Sequence, residues 1–194
     1  HRIRLAMKTK SFIKIKGEVE TDETFIGGIN RKRSLSRRRR VGGGTADKTM
    51  VHGLLERGGE VRASVESQTK IKALQTIVRD NVEEGAAVYS DEAAAYKGLD
   101  DQYLHETVNH AVEYVRGRVH TNGLENFWSL LKRSLGGTYV AVAPFHLQRY
   151  VDEQVFRFNK RKGNDASRFL EAMLSIGGKR LTRAELTGKA GAAS

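Results

Sequence analysis

The sequence lacks cysteine altogether, and it contains one proline and only 7% aromatic residues. Without cysteine the chain forms neither disulfides nor cysteine-ligated zinc sites, and this suits a reducing compartment. No apolar run approaches the roughly 18 residues of a membrane-spanning helix, so we expect no membrane partner. The first residues, His1-Arg2-Ile3-Arg4, include neither an initiator Met nor an apolar signal region. We therefore expect residues 1–17 to be a tail or linker from a missing upstream region.

Acidic residues are also scarce, and the excess of basic residues is concentrated at the start of the chain. The 194 residues have a formal net charge of +11, and residues 1–48 hold 14 basic and 5 acidic side chains, a net of +9. This balance favours a polyanionic partner, most commonly nucleic acid. A solvated basic surface or a ribosomal-type protein is the alternative. Hydrophobic residues make up 39% of the chain, enough to build a core.

The densest positive charge lies in residues 31–40, where seven of ten side chains are basic. A core cannot be built from this run, so we predict an exposed loop that contacts a DNA backbone. A purely solvated loop or a localisation signal is the alternative. The predicted DNA-binding residues are Arg31, Lys32, Arg33, Arg37, Arg38, Arg39 and Arg40, with Lys132 and Arg133 further along the chain.

The hydrophobic pattern predicts a mixed α/β domain. Alternating residues predict strands, a hairpin turns at Gly58-Gly59, and apolar residues at helical spacing predict two long helices late in the chain. The order places antiparallel strands first and a helical crossover to further strands afterwards. The expected strands are 18–26, 50–55, 61–65, 86–91 and 104–108, and the expected helices are 69–83, 92–97, one beginning after His120-Thr121-Asn122, and 146–160.

Three acidic residues stand out by their context. Asp22 lies in the middle of the first strand, Asp91 lies at the end of the strand that contains Val88 and Tyr89, and Glu125 lies near the start of a long helix. A carboxylate within an apolar strand is costly to bury unless it is paired or binds a cation. Each also has a structural explanation, because a strand Asp is often a surface residue, Asp91 fits a helix N-cap, and Glu125 fits a solvated helix face.

Helical geometry adds an argument for Glu125. At 100° per residue, Asn122 lies about 60° from Glu125, Ser129 about 40° and Lys132 about 20° on the other side. The apolar residues Leu124, Phe127, Trp128, Leu131 and Leu135 lie between about −60° and −160° on the same scale. A helix with this pattern packs on a sheet along one face and carries Glu125 in a polar stripe beside it.

Three carboxylates that converge on one point suit Mg²⁺ or Mn²⁺, which prefer oxygen ligands. Two such ions about 3.5–4 Å apart hold a phosphodiester between them, so we predict two-metal phosphoryl transfer. Lys132 is expected to contact a DNA phosphate or the charge of the transition state. His110 and His120 flank this region as alternative general bases or ligands, although packed or solvated histidines are common.

Several strings resemble a known family, the ISXO-type insertion-sequence transposases of the bacterial DDE superfamily. They are VETDETFIGG (19–28), YSDEAAAY (89–96), VNHAVEYV (108–115), HTNGLENFWSLLKR (120–133), HLQRYVDEQVFRFNKR (146–161) and GKRLT (178–182). They occur in the family's order and extend over nearly the whole chain. The resemblance implies a ribonuclease H-like mixed sheet flanked by helices, with Asp22 on its central strand and Asp91 beside it.

The resemblance also implies a catalytic role for Asp22, Asp91 and Glu125, with Lys132 as the basic residue that follows the acid by two helical turns. Some relatives use an asparagine as the third member, so Asn122 is the alternative to Glu125. It implies cleavage at element ends and strand transfer into target DNA, by a homo-oligomer on DNA in the bacterial cytoplasm at the nucleoid. Members of the family usually recognise element ends through an upstream zinc-binding and helix-turn-helix region, and we do not expect residues 1–194 to contain it.

Two other functions stay open from the sequence. One is a DNA-binding remnant of a truncated element without catalysis, and the other is a ribonuclease H-like nuclease that cleaves without strand transfer. In all three cases we expect the catalytic fold in residues 18–165, with residues 166–194 as a C-terminal extension.

Overall fold

The computed structural model describes residues 1–8, 13–27, 48–66, 71–91, 96, 98–108, 120–139 and 142–188, except for the side chains of residues 71, 91 and 108. The strands are β1 (Glu18–Ile26), β2 (Thr49–Glu56), β3 (Val61–Glu66), β4 (Ala87–Asp91) and β5 (Leu104–Val108). The helices are α1 (Arg2–Met7), α2 (Ile71–Asn81), α3 (Asn122–Arg133), α4 (Leu147–Asn159), α5 (Asp165–Leu174) and α6 (Arg183–Thr187). A π-helical segment, Ser134–Tyr139, and a 3-10 turn, Pro144–His146, lie between α3 and α4.

The strands form one five-stranded sheet in the order β3-β2-β1-β4-β5. β1 pairs antiparallel with β2, and β2 antiparallel with β3, whereas β4 and β5 run parallel to β1. The helix α2 connects the antiparallel half to the parallel half, as a parallel connection requires. This confirms the expected ribonuclease H-like mixed sheet with β1 at its centre.

Most expected elements occur where the sequence pattern places them. β1 and β5 agree to the residue, the β2–β3 hairpin turns through Gly58 at a φ of +74°, and α2 is slightly shorter than the expected 69–83. The helix expected at 92–97 lies largely outside the described residues. Within the described part of the chain, no helix is long and apolar enough to cross a membrane.

Each face of the sheet has its own core. On one face, α3 and α4 pack against Val51 and Leu55 of β2 and Val61 of β3. On the other face, α2 packs Val78 and Val82 against a second cluster that includes Val19, Leu54 and Val88. Because side chains alternate along a strand, Glu20 and Asp22 of β1 point to the α3 side and Val19 and Thr21 to the α2 side.

The N-terminal helix α1 packs on α4 rather than leading away from the domain. Ala6 is buried, and the Arg4 Nε donates to Glu153 Oε2 of α4 at 2.7 Å. The Tyr139 hydroxyl donates to Glu153 Oε1 at 2.8 Å. Burial alone raises the pKa of Glu153, but the donors Tyr139 and Arg4 outweigh it, so its pKa lies below the ordinary value.

Two C-terminal helices were not predicted, although their start signals are readable. The Asn164 side chain accepts from the Ser167 backbone N–H at the start of α5. At the start of α6, Thr182 and Glu185 form a capping box, which satisfies two backbone N–H groups at once. The proposed division into residues 1–17, 18–165 and 166–194 stays a prediction.

Candidate active site

Asp22 lies half-buried on the central strand, and helix α3 crosses above it. Its Oδ2 accepts a hydrogen bond from Trp128 Nε1 at 2.9 Å, and its Oδ1 accepts one from the Glu23 backbone N–H at 2.8 Å. Both donors are N–H groups, and each one binds a different oxygen of the carboxylate. The carboxylate is therefore held in one orientation from two sides, on the helix face of the sheet.

Gly53 explains how the Trp128 ring comes so close to the sheet. This residue is the β2 partner of Asp22 in the antiparallel register. A Cβ atom at Gly53 would lie 2.7 Å from both Cη2 and Cζ2 of Trp128 and 3.0 Å from Cδ2 of Leu124. The missing side chain thus leaves the space in which the indole ring lies over β2 and reaches Asp22.

Glu20, two residues before Asp22 on the same face, fixes the beginning of α3. It is buried, and its Oε2 accepts the Leu124 backbone N–H at 3.0 Å while its Oε1 accepts Arg57 Nε at 3.3 Å. His120 Nδ1 lies 3.4 Å from the same Oε1. Gly123 is required here as well, because a Cβ atom would lie 2.7 Å from Glu20 Oε2. Two carboxylates of β1 therefore bind one helix.

Sequence reasoning missed Glu20 and assigned Trp128 only to the core. Glu18, Glu20 and Asp22 alternate along the strand and look equivalent in the sequence. One signal was available for Trp128, because a buried indole N–H almost always needs an acceptor.

Glu125 lies in the first turn of α3, three residues before Trp128, and its side chain is exposed. Asn122 and Lys132 are exposed too, as is Ser129, whereas the apolar residues of the helix are buried, namely Leu124, Phe127, Trp128 and Leu131. The structure thus confirms the predicted polar stripe and the packed face beside it. The roles of Asn122, Glu125, Lys132 and the exposed Arg133 stay predictions.

Asp91 is the last residue of β4, the parallel neighbour of β1. The register pairs Glu18 with Ala87 and ends with Thr21 opposite Ser90. Continuing it by one residue brings the Asp91 backbone beside that of Asp22, at the spacing of neighbouring strands, about 4.8 Å. The Asp91 side chain is outside the described part, as are residues 31–40 and His110.

Among the side chains that the structure describes, no group of three His, Asp or Glu residues is arranged to hold a metal ion. The expected triad includes Asp91, whose side chain is not among those described, so the triad lies partly outside that set. The residue types are nevertheless those that a hard divalent cation prefers, because Asp22, Asp91 and Glu125 all carry carboxylate oxygens.

The opposite face of β1 carries a buried polar network. His52 Nε2 lies 3.0 Å from Thr21 Oγ1, the Thr21 hydroxyl donates to the Tyr96 hydroxyl oxygen at 3.2 Å, and Tyr96 donates to Glu23. Since Thr21 uses its proton for Tyr96, His52 donates from Nε2. This network joins β1, β2 and the residues after β4 directly beneath the acidic positions.

A neighbouring set has the residue types of a hydrolase triad. Ser90 Oγ lies 2.8 Å from His105 Nε2, and His105 Nδ1 lies 3.3 Å from Asp100 Oδ1. Ser90 is fully buried, so its hydroxyl is closed to a substrate. The set therefore supports the β4–β5 pairing and does not form a nucleophile.

Acid pH is expected to weaken the fold through His52. Burial lowers the pKa of His52 from 6.5 to about 4. Between these values the unfolded chain binds a proton that the folded chain excludes, so the free energy of unfolding falls as the pH drops, by about 2 kcal/mol between pH 7.5 and 5.0. Urea unfolding at both pH values tests this in the wild type and in His52→Gln, which retains a donor for Thr21. An equal pH dependence in both proteins would contradict this role.

The sheet order and the acidic central strand define a ribonuclease H-like domain. Residues 14–159 match the family described as ISXO2-like transposase domain. The chain belongs to this transposase family, as the sequence strings predicted. No curated protein matches the chain.

Three solved structures contain similar chains. One is a chain of the simian T-cell lymphotropic virus intasome in complex with PP2A regulatory subunit B56 gamma, at 11% identity and a TM-score of 0.47. That match covers 90% of this chain and 58% of the other. The others are the HTLV-2 integrase catalytic core domain in complex with magnesium, in dimeric and trimeric forms, at 14% identity and a TM-score of 0.44. They cover 84% of this chain and 98% and 99% of theirs.

Proposed function

We propose that this chain is a catalytic transposase domain that cleaves DNA at element ends and joins the freed 3′-hydroxyl to target DNA, with Mg²⁺ or Mn²⁺. The observation that supports this most is the held Asp22 carboxylate on the central strand. It lies on the strand beside Asp91 and accepts a hydrogen bond from the helix that bears Glu125.

The metal ligands in this proposal are Asp22, Asp91 and Glu125. Two divalent ions held by these carboxylates would supply positive charge for the attacking hydroxyl and the leaving oxygen of the phosphodiester. Trp128 keeps Asp22 in one rotamer, and Glu20 keeps the helix that bears Glu125 in register with β1. The Asp22 carboxylate and the helix that bears Glu125 are thus positioned before substrate binds, and phosphoryl transfer depends on such positioning.

The polar stripe of α3 supplies the remaining contacts. Lys132, exposed two turns after Glu125, would neutralise a DNA phosphate, and Arg133 would contact the same backbone. Asn122 is the alternative third group, since it shares the exposed stripe with Glu125. Together with the basic residues in 31–40, this stripe would bind element ends and target as a homo-oligomer, at the nucleoid of the bacterial cytoplasm.

Strand transfer is expected to require both a divalent ion and Asp91. The test incubates the 194-residue protein with a supercoiled plasmid and a pool of pre-nicked duplexes whose terminal sequences are randomised. We expect joined products, detected by sequencing, with Mg²⁺ but not with EDTA, and their loss in Asp91→Ala. Asp101→Ala, which removes an exposed carboxylate from the turn before β5, is the matched control.

Three outcomes would overturn the proposal. Equal joining by Asp91→Ala would remove Asp91 from the site. Metal-dependent cleavage without joining would identify a nuclease. DNA binding that ignores Mg²⁺ and yields no products would identify a non-catalytic remnant.

A further inference from the structure

A cavity of about 560 Å³ opens between the β2–β3 hairpin, the start of α3 and the end of α4. Its size lies within the roughly 300–1,000 Å³ typical of small-ligand sites. From α3 it is lined by Gly123, Asn126 and Leu130, which lie about 160°, 100° and 140° around the helix from Glu125. The cavity is therefore displaced around α3 from the polar stripe, although the buried carboxylate of Glu20 and the ring of His120 also line it.

Among the lining residues Leu55 and Phe158 are buried and Arg157 and Arg161 are exposed, so the cavity has an apolar floor and a basic rim. Leu55, Leu130 and Phe158 contribute apolar surface, and Asn126 and Gln154 contribute amide groups. The basic side chains that line the same cavity are Arg57, Arg157 and Arg161. A flat aromatic base can pack on an apolar floor, and side-chain amides can form hydrogen bonds with the edge of the base. Guanidinium groups can donate hydrogen bonds to phosphate oxygens.

The three arginines differ in how far their charge is already balanced. Arg57 is engaged with Glu20 at 3.3 Å and Glu18 at 3.8 Å and lies over the Tyr89 ring at 4.1 Å. The carboxylates of Glu20 and Glu18 already balance the charge of Arg57. We therefore expect Arg57 to form part of the cavity wall and not to bind an anion.

Arg157 and Arg161 retain positive charge at the rim. Arg157 shares the single carboxylate of Glu153 with Arg4, at 3.0 Å and 2.7 Å, and 60% of its side chain is exposed. Arg161 donates to the backbone carbonyl oxygens of Phe158 and Gly59, which carry no formal charge to neutralise it. Its guanidinium lies 4.3 Å from the centre of the Phe158 ring. The Arg161 guanidinium thus lies next to an aromatic ring, and Arg157 lines the same cavity.

We propose that this cavity binds one unpaired nucleotide of a DNA strand, with the base on the floor formed by Leu55, Leu130 and Phe158 and the phosphate at Arg157 and Arg161. The inference rests on the proposed function only for the identity of the polymer, and it requires no metal. A single strand displaced from the duplex beside the cutting site supplies such a nucleotide, and a free mononucleotide offers the same chemistry.

Photocrosslinking in EDTA tests the inference apart from catalysis. A single-stranded oligonucleotide with one 5-iododeoxyuridine is irradiated with the protein, and the crosslinked peptide is mapped by mass spectrometry. We expect crosslinks to the peptides that contain Leu130 or Phe158. Asp22→Asn should leave them unchanged, so a failure of catalysis and a failure of this site give different results.

Two variants and a matched control define the site. Arg157→Ala/Arg161→Ala should weaken oligonucleotide binding by roughly tenfold or more, as expected from the loss of two phosphate contacts. Arg180→Ala/Arg183→Ala removes two exposed charges elsewhere and should change binding by less than about threefold. Asn126→Trp fills the cavity without changing charge, so it should remove the crosslink even if the arginine variant is poorly folded.

Crosslinks only at other peptides, or binding by the arginine and tryptophan variants equal to that of the wild type, would overturn the proposal. A last experiment measures the binding of thymidine monophosphate to the same protein. If it binds as tightly as the oligonucleotide, the cavity is a mononucleotide site and the assignment to a DNA strand is wrong.

Discussion

Asp22→Asn is expected to reduce metal-dependent strand transfer by at least about 10³-fold. The substitution retains the shape of the side chain but removes its charge. Charge stabilisation by a bound ion is worth several kcal/mol, and each 1.36 kcal/mol changes the rate about tenfold. The measurement is the initial rate of joined-product formation in Mg²⁺, compared with the wild type. Activity within tenfold of the wild type would remove Asp22 from the proposed metal site.

The same substitution has a structural cost that must be separated from the catalytic one. Both oxygens of Asp22 accept N–H groups, one from Trp128 and one from Glu23. An asparagine amide places an NH₂ group opposite one of these donors, and a partly buried unmatched polar group costs about 1–3 kcal/mol. A loss of activity in this variant alone therefore has two explanations.

Adding Trp128→Phe separates them. Phenylalanine lacks the N–H, so the amide introduced by Asp22→Asn no longer faces the indole donor, and the double variant should regain part of the stability lost by the single one. Its strand transfer should stay absent, because the carboxylate is still missing. Thermal unfolding and the joining assay on the same samples give both readouts. Recovery of joining in the double variant would mean that folding, not charge, explains the defect.

The sequence was sufficient for the strands and for the strand positions of the acids, because those depend on local patterns. Alternation of side chains in residues 18–26 predicted β1 to the residue, and the family resemblance implied its central place in the sheet. The helical stripe of α3 followed from spacing alone, since exposure around a helix depends mainly on which face packs.

What the sequence could not supply are the contacts between distant segments. The Asp22–Trp128 and Glu20–Leu124 bonds join residues 106 and 104 positions apart. Their existence depends on how closely α3 approaches β1, and that distance depends on Gly53 and Gly123 lacking side chains. A glycine within a strand pattern indicates close approach but does not say of what. The anchoring role of Glu20 was therefore not predictable from the sequence, whereas the chemistry expected of Asp22 was.

Gly53→Ala is expected to destabilise the domain and to disturb the site together. Its Cβ would lie 2.7 Å from two atoms of the Trp128 ring, closer than carbon atoms approach without displacement. Overpacking of this kind costs about 1–3 kcal/mol, and each kcal/mol lowers Tm by roughly 2–4 °C for a chain of this size. Moving the indole also lengthens its bond to Asp22, so strand transfer should fall with Tm. Gly177→Ala, where a Cβ meets open space, is the matched control.

A second substitution shows whether the ring contact is the cause. Trp128→Phe removes the Cη2 and Cζ2 atoms with which the new methyl group collides. If the collision is responsible, Gly53→Ala should cost less in the Trp128→Phe background than in the wild type, by about 1 kcal/mol or more, because substitutions at residues in contact are not additive. Chemical unfolding of the four proteins measures this difference. Equal costs in both backgrounds would show that Gly53 is required for the strand and not for the space that brings Trp128 to Asp22.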